Sequence, residues 1–177
     1  MNTKIFSTLA AFALALVVTP TTFAAKLSPA QFTAGVKAAV GTKKGAAAYK
    51  AAAKYYKTAL ADKNNKKNAV TYTTAVLKAL KKAVKTPLVV KSRAALADAL
   101  TQGYFKGMTY KPEDSKYAAA LAKLVSTLPS SLKTSAAAKE IAAPVIKFND
   151  TKGGGAAGIS FINDTIYKAA GQEPPHS

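Results

Sequence analysis

Residues 68–85 read NAVTYTTAVLKALKKAVK, and no other stretch of the chain separates its two faces so cleanly. Wound at about 100° per residue, Val70, Tyr72, Thr73, Val76, Leu77, Ala79, Leu80, Ala83 and Val84 fall on one half of a helical cylinder. Lys78, Lys81, Lys82 and Lys85 fall on the other, with no acid among them. Such a helix has to bury one side against a protein core and leave the other to solvent. The expectation is a core helix with a cationic outer stripe, for which the rest of the chain supplies the packing partners.

Those partners are again helical. Ser28-Pro29-Ala30-Gln31 is a helix start, with Ser28 as N-cap, proline in the first turn and Gln31 placed to close a capping box. Phe32, Val36, Ala39 and Val40 share the face that follows, and Gly41 ends it. A second helix is predicted over 45–62, with Tyr49, Ala52, Tyr56, Ala59 and Leu60 inward and Lys50, Lys54 and Lys57 as an outer stripe. Residues 63–67 are a polar loop. Thr86-Pro87 both stops the helix of residues 68–85 and starts the next, which Gly103 closes. Lys111-Pro112-Glu113-Asp114 opens a fifth helix with acids at the positive end of its dipole. A sixth segment, 135–148, contains Pro144 and is expected to kink or divide there. Ile159, Ile162, Ile166 and Ala169 define a last helix ended by Gly171.

The fold class that follows is all-α, an irregular bundle of six or seven amphipathic helices. Helix starts near Ser28, Asn68 and Pro112 recur about every 40 to 44 residues, so a short solenoid of helical hairpins is the alternative. The segments do not align with one another, which favours the bundle. With 177 residues, one domain over 25–171 and a short tail over 172–177 are expected.

Residues 1–24 have the order of an export signal: Lys4, an apolar run over 5–18, Pro20, then Thr22-Phe23-Ala24 as a small-residue cleavage site. The 14 apolar residues would span only about 21 Å as a helix, short of the roughly 30 Å of a bilayer core. A secreted or periplasmic protein without a membrane-spanning segment after cleavage is the expectation.

Charge sets the functional classes. The net charge is +18, from 26 Lys plus Arg against 8 Asp plus Glu, and Arg93 is the one arginine. Lysine is a hydrated point charge suited to diffuse attraction, whereas reading of base edges favours the arginine fork, so sequence-specific nucleic-acid recognition is not expected. With no cysteine, disulfides, thiolate metal sites and a cysteine nucleophile are excluded. His176 is the only histidine and lies at the chain's end, and the eight acids are scattered, so neither a triad, a paired-carboxylate site nor a metal site is expected.

Two further stretches bear on binding. Residues 153–158, GGGAAG, match the dinucleotide-binding spacing letter for letter, but only 19 residues follow Gly158, too few for the returning strand that chemistry needs. The milder reading is an anion resting on a helix start beside Lys152, and a flexible linker is the default. Between residues 102 and 117, Tyr104, Phe105 and Tyr110 interleave with lysines, either as rings free to stack on bases or sugars or as pins holding a long loop to the core.

The function read from the sequence is therefore an exported, lysine-rich, non-enzymatic helical protein without a cofactor, associating with an anionic surface or polymer such as membrane headgroups. Its anion-binding candidates are Lys50, Lys54, Lys57, Lys78, Lys81, Lys82, Lys85 and Lys152. The alternatives are a scaffold that docks an acidic protein, or a structural protein whose charge confers only solubility. N-terminal sequencing of exported material should begin near Ala25; a soluble cytosolic pool that retains Met1 would refute the export assignment.

Overall fold

A computed structural model describes residues 26–175. The expected signal segment and His176 lie outside them. The described chain is an all-helical bundle of α1 (Pro29–Val40), α2 (Gly45–Ala61), α3 (Ala69–Leu80), α4 (Thr86–Tyr104), α5 (Ser115–Ser126), α6 (Ser135–Thr151) and α7 (Gly155–Ala169). Short 3₁₀ turns at Lys66–Asn68 and Ser130–Leu132 complete it, and there is no strand among the described residues. None of its helices is long and apolar enough to cross a membrane.

The starts and stops follow the local chemistry. Ser28 accepts the Gln31 amide at 3.2 Å while the Gln31 side chain accepts the Ser28 amide at 2.8 Å, a complete capping box. Asp114 caps α5, accepting from the Lys116 and Tyr117 amides. Partial burial works to raise the Asp114 pKa. The Tyr104 hydroxyl and these two amides outweigh it and hold the carboxyl below its ordinary range. α6 runs as one helix through Pro144, so of the expected kink or division the division does not occur. Ile141, Ala142 and Val145 bury its inner side on both sides of the proline, and that packing offsets one missing backbone donor.

The helices form two rows. α1, α3, α5 and α7 pack in sequence along one, α2, α4 and α6 along the other, and the rows are tied chiefly by α1 on α2, α4 on α5 and α6 on α7. Small residues let neighbours within a row approach closely: a Cβ on Gly103 of α4 would lie 2.6 Å from the Lys57 carbonyl oxygen of α2. Large side chains fill what alanine leaves. Phe32 stacks on Tyr72 at 4.0 Å, and Tyr56 and Tyr117 are fully buried.

Each of these two buried tyrosines is anchored in the same way. The Thr73 hydroxyl donates to the Ala69 carbonyl of its own helix at 2.8 Å, so the Tyr56 hydroxyl donates to Thr73. Thr101 donates to the Ala97 carbonyl at 2.7 Å, so the Tyr117 hydroxyl donates to Thr101. Burial pushes both phenols far above their ordinary pKa.

The polar loop of residues 63–67 departs from expectation because Asn65 and Lys66 are buried. Asn65 accepts the Leu27 amide at 2.8 Å and donates to the Ala59 carbonyl at 3.0 Å, clasping the approach to α1 onto the end of α2. Lys66 donates to the Lys106 carbonyl at 2.7 Å, and burial pushes its pKa down.

Removing one partner of a buried pair costs more than removing both. Thr73→Val should therefore lower unfolding free energy by about 1–3 kcal/mol in chemical denaturation, and adding Tyr56→Phe should recover part of the loss. If Thr73→Val is as stable as the parent, the tyrosine anchor contributes nothing.

Candidate anion-binding cleft

α3 and α4 are consecutive yet barely touch, because each is committed to its own row. The turn between them is drawn inward. α3 stops at Leu80, whose carbonyl accepts the Ala83 and Val84 amides at 3.0 and 2.9 Å, and the Ala83 carbonyl accepts the Gly45 amide at 2.8 Å. Ala83 and Val84 are buried while Lys81, Lys82 and Lys85 are turned outward. The expected helix to residue 85 is thus corrected: only Lys78 of the four lysines lies on α3, and Lys85 is the N-cap residue of α4. Val70, expected inside, is 37% exposed.

The divergence leaves a cleft of about 770 Å³, closed on its third side by the C-terminal end of α5. Leu77, Leu80, Val84 and Val89 make an apolar floor. Lys78, Lys81, Lys85, Arg93 and Lys123 contribute the cations, and no carboxylate is among the lining residues. The sequence carries this imbalance: between Asp62 and Asp98 there are nine lysines and arginines and no acid.

Arg93 holds the wall in place. Its guanidinium donates to the Leu124 carbonyl at 3.0 Å, the Thr127 hydroxyl at 2.8 Å and the Thr127 carbonyl at 3.4 Å. These acceptors lie at the negative end of α5, so a cation there is stabilised by the helix itself. No acid offsets the burial, which lowers the Arg93 pKa to about 10 and leaves the group charged at neutral pH.

The other candidates divide. Lys50, Lys54 and Lys57 are exposed along α2, away from the cleft, and Lys57 is tied to Gln102 of α4. Lys82 is exposed on the turn but does not line the cleft. Lys152 is exposed, with its ammonium 5.4 Å from the Phe148 ring.

Tyr104 and Phe105 are buried, and with Tyr110, Tyr117 and Phe148 they make one cluster of largely edge-to-face rings. Of the two expected roles the pins are the one observed, since Tyr104 and Phe105 are buried with the edge of one ring on the face of the next. The buried Tyr110 hydroxyl is pushed up to about 12 by burial, then by Glu113 and Asp150.

Residues 153–158 are not a plain linker, because α7 begins at Gly155. Asn149 packs so tightly there that a Cβ on Gly154 or Gly158 would fall 2.0 Å from its Oδ1. The amide donates to the Gly155 carbonyl at 3.1 Å, and the buried Oδ1 is an unpartnered acceptor, the wrong polarity to hold an anion.

The sequence reading missed Arg93, Lys123 and the apolar floor as parts of one site. A single arginine in a lysine-based chain was the available signal, since a planar fork is needed where several carbonyls must be reached at once. Comparison with protein-family models, curated proteins and solved structures finds no match.

Arg93→Met keeps the stem and removes the fork. It should cost about 1.5–3 kcal/mol in chemical denaturation, whereas Lys123→Gln should stay within about 0.5 kcal/mol of the parent. Equal effects of the two substitutions would count against the wall assignment.

Proposed function

We propose that this chain is an exported, non-enzymatic helical protein that associates with anionic surfaces or polymers, and that contact is made at the cleft between α3, α4 and α5. The observation that carries this reading is the set of five cations lining one cleft with no carboxylate beside them. Among the described residues the one ion pair is Lys168 with Asp164, on α7, so the cleft cations keep their charge for a partner. Five like charges held close repel one another, and a bound anion relieves that repulsion. The non-enzymatic part rests on how the acids are used: Asp114 is a helix cap and Asp98 accepts from Gln102.

The stripe of Lys50, Lys54 and Lys57 is the internal comparison. It has similar charge but lies along the exposed side of α2 and is not part of the cleft lining. Attraction by charge alone would treat the two sets alike; attraction by a cleft would not.

Heparin-like polysaccharide and vesicles containing anionic lipid should both bind at low ionic strength and release steeply as salt rises, the signature of counterion release. Replacing Lys78, Lys81 and Lys85 with glutamine should weaken binding by about tenfold or more, with helicity unchanged by circular dichroism. Lys50, Lys54 and Lys57 replaced together should have a much smaller effect. No binding at low salt, or equal losses from the two sets, would overturn the proposal.

A further inference from the structure

A polymer of phosphates or sulfates would use the cations of the cleft and waste its floor. Leu77 and Val89 are only half-buried and leave apolar surface at the bottom of a recess between two charged walls, on a floor completed by the buried Leu80 and Val84. One wall is Lys78, Lys81 and Lys85, and the other is Arg93 with Lys123. The volume of about 770 Å³ falls in the range of small-molecule sites, which are mostly apolar with a few fixed polar groups. Thr86 adds a hydroxyl to the lining, whereas those of Thr74 and Thr127 already donate to the Val70 and Lys123 carbonyls.

A ligand that satisfies both parts needs an anionic end and an aliphatic end. The cations are placed to reward the first: Lys81 and Lys85 line the cleft with Thr86 at the start of α4. The floor rewards the second, since each methylene laid on it leaves water. Arg93 is fixed by α5 before any ligand arrives, so one wall needs no ordering on binding.

We infer that the cleft is a binding site for a single-chain anionic amphiphile, an aliphatic chain carrying one carboxylate or phosphate headgroup. This rests on the anion-binding reading above and narrows it: the partner at this site is an individual amphiphile with its chain along Leu77, Leu80, Val84 and Val89.

The test is a chain-length series on the unmodified protein by isothermal titration calorimetry. Hexyl, octyl, decyl and dodecyl phosphate would be used below their aggregation concentrations, beside inorganic phosphate, dodecanol and laurate. Affinity should rise about three- to fourfold per added methylene until the floor is covered. Dodecyl phosphate should exceed both inorganic phosphate and dodecanol by at least about tenfold, because each of those lacks one half of the recognition. Laurate measured against dodecyl phosphate assigns the headgroup as carboxylate or phosphate, and tight binding of either supports the site. Lys81→Gln with Lys85→Gln should lower affinity for every chain length by one factor, whereas Leu77→Gln should flatten the series.

A series that is flat on the unmodified protein, with heparin binding still lost when Lys78, Lys81 and Lys85 are replaced, would overturn the amphiphile and leave the polyanion reading standing. Dodecanol binding as tightly as dodecyl phosphate would also overturn it, since the cations would then play no part. Amphiphile binding on a protein that shows no affinity for heparin would instead remove the polymer reading and support the site.

Discussion

The bundle depends on how a few tyrosines are held inside it. Much of the apolar content is alanine, which brings helices close but buries little area per residue. Tyr56 and Tyr117 provide volume, and each brings a hydroxyl that must be satisfied. Both are satisfied by a threonine that has already given its own proton to a carbonyl of its own helix, at Ala69 for Thr73 and at Ala97 for Thr101. One pair joins α2 to α3 and the other α5 to α4. These bonds set helix register in places where alanine faces alone would allow sliding, because an alanine surface offers few distinct ridges to lock.

From that register the cleft follows. With α3 held to α1 and α5, and α4 to α2 and α6, the two consecutive helices have no shared seam, and the turn between them has to bridge a gap. Ala83 and Val84 anchor the turn from below, and the lysines on either side of them are left above. The same two residues therefore end α3, seat the turn on α2 and fix where the cations stand. A longer α3, continuing to residue 85, would have kept those lysines on one helical stripe facing solvent, with no opposite wall.

Much of the fold was legible because its signals are local. Ser28-Pro29-Ala30-Gln31, Thr86-Pro87 and Gly171 each act through bonds or dihedral limits within a few residues, and each marks a helix boundary within a residue or two of the observed one. The inward faces of α1, α2 and α7 were legible from apolar spacing. What could not be read depends on tertiary partners. The stop at Leu80 is set by the turn's anchorage on α2, through the bond from the Gly45 amide to the Ala83 carbonyl. Burial of Lys66 depends on a carbonyl 40 residues away at Lys106. The continuity of α6 through Pro144 depends on the neighbours that cover Ile141 and Val145. The cleft itself draws on α3, α4 and α5 together, and no spacing within one segment encodes Lys123 joining Lys78 in its lining.

The single arginine has a consequence for how this chain can vary. An exposed lysine is one ammonium among 26 cationic side chains, and exchanging it for another polar residue, or moving it by a turn, changes the overall field by a small fraction. Position 93 has no such freedom, because its side chain reaches a backbone carbonyl, a hydroxyl and a second carbonyl at once. A lysine there would keep the charge and lose the planar geometry that spans them. Outside the cleft the composition of the surface can therefore drift widely while this one position stays fixed, so a residue that adds little to the total charge is among those that resist exchange most.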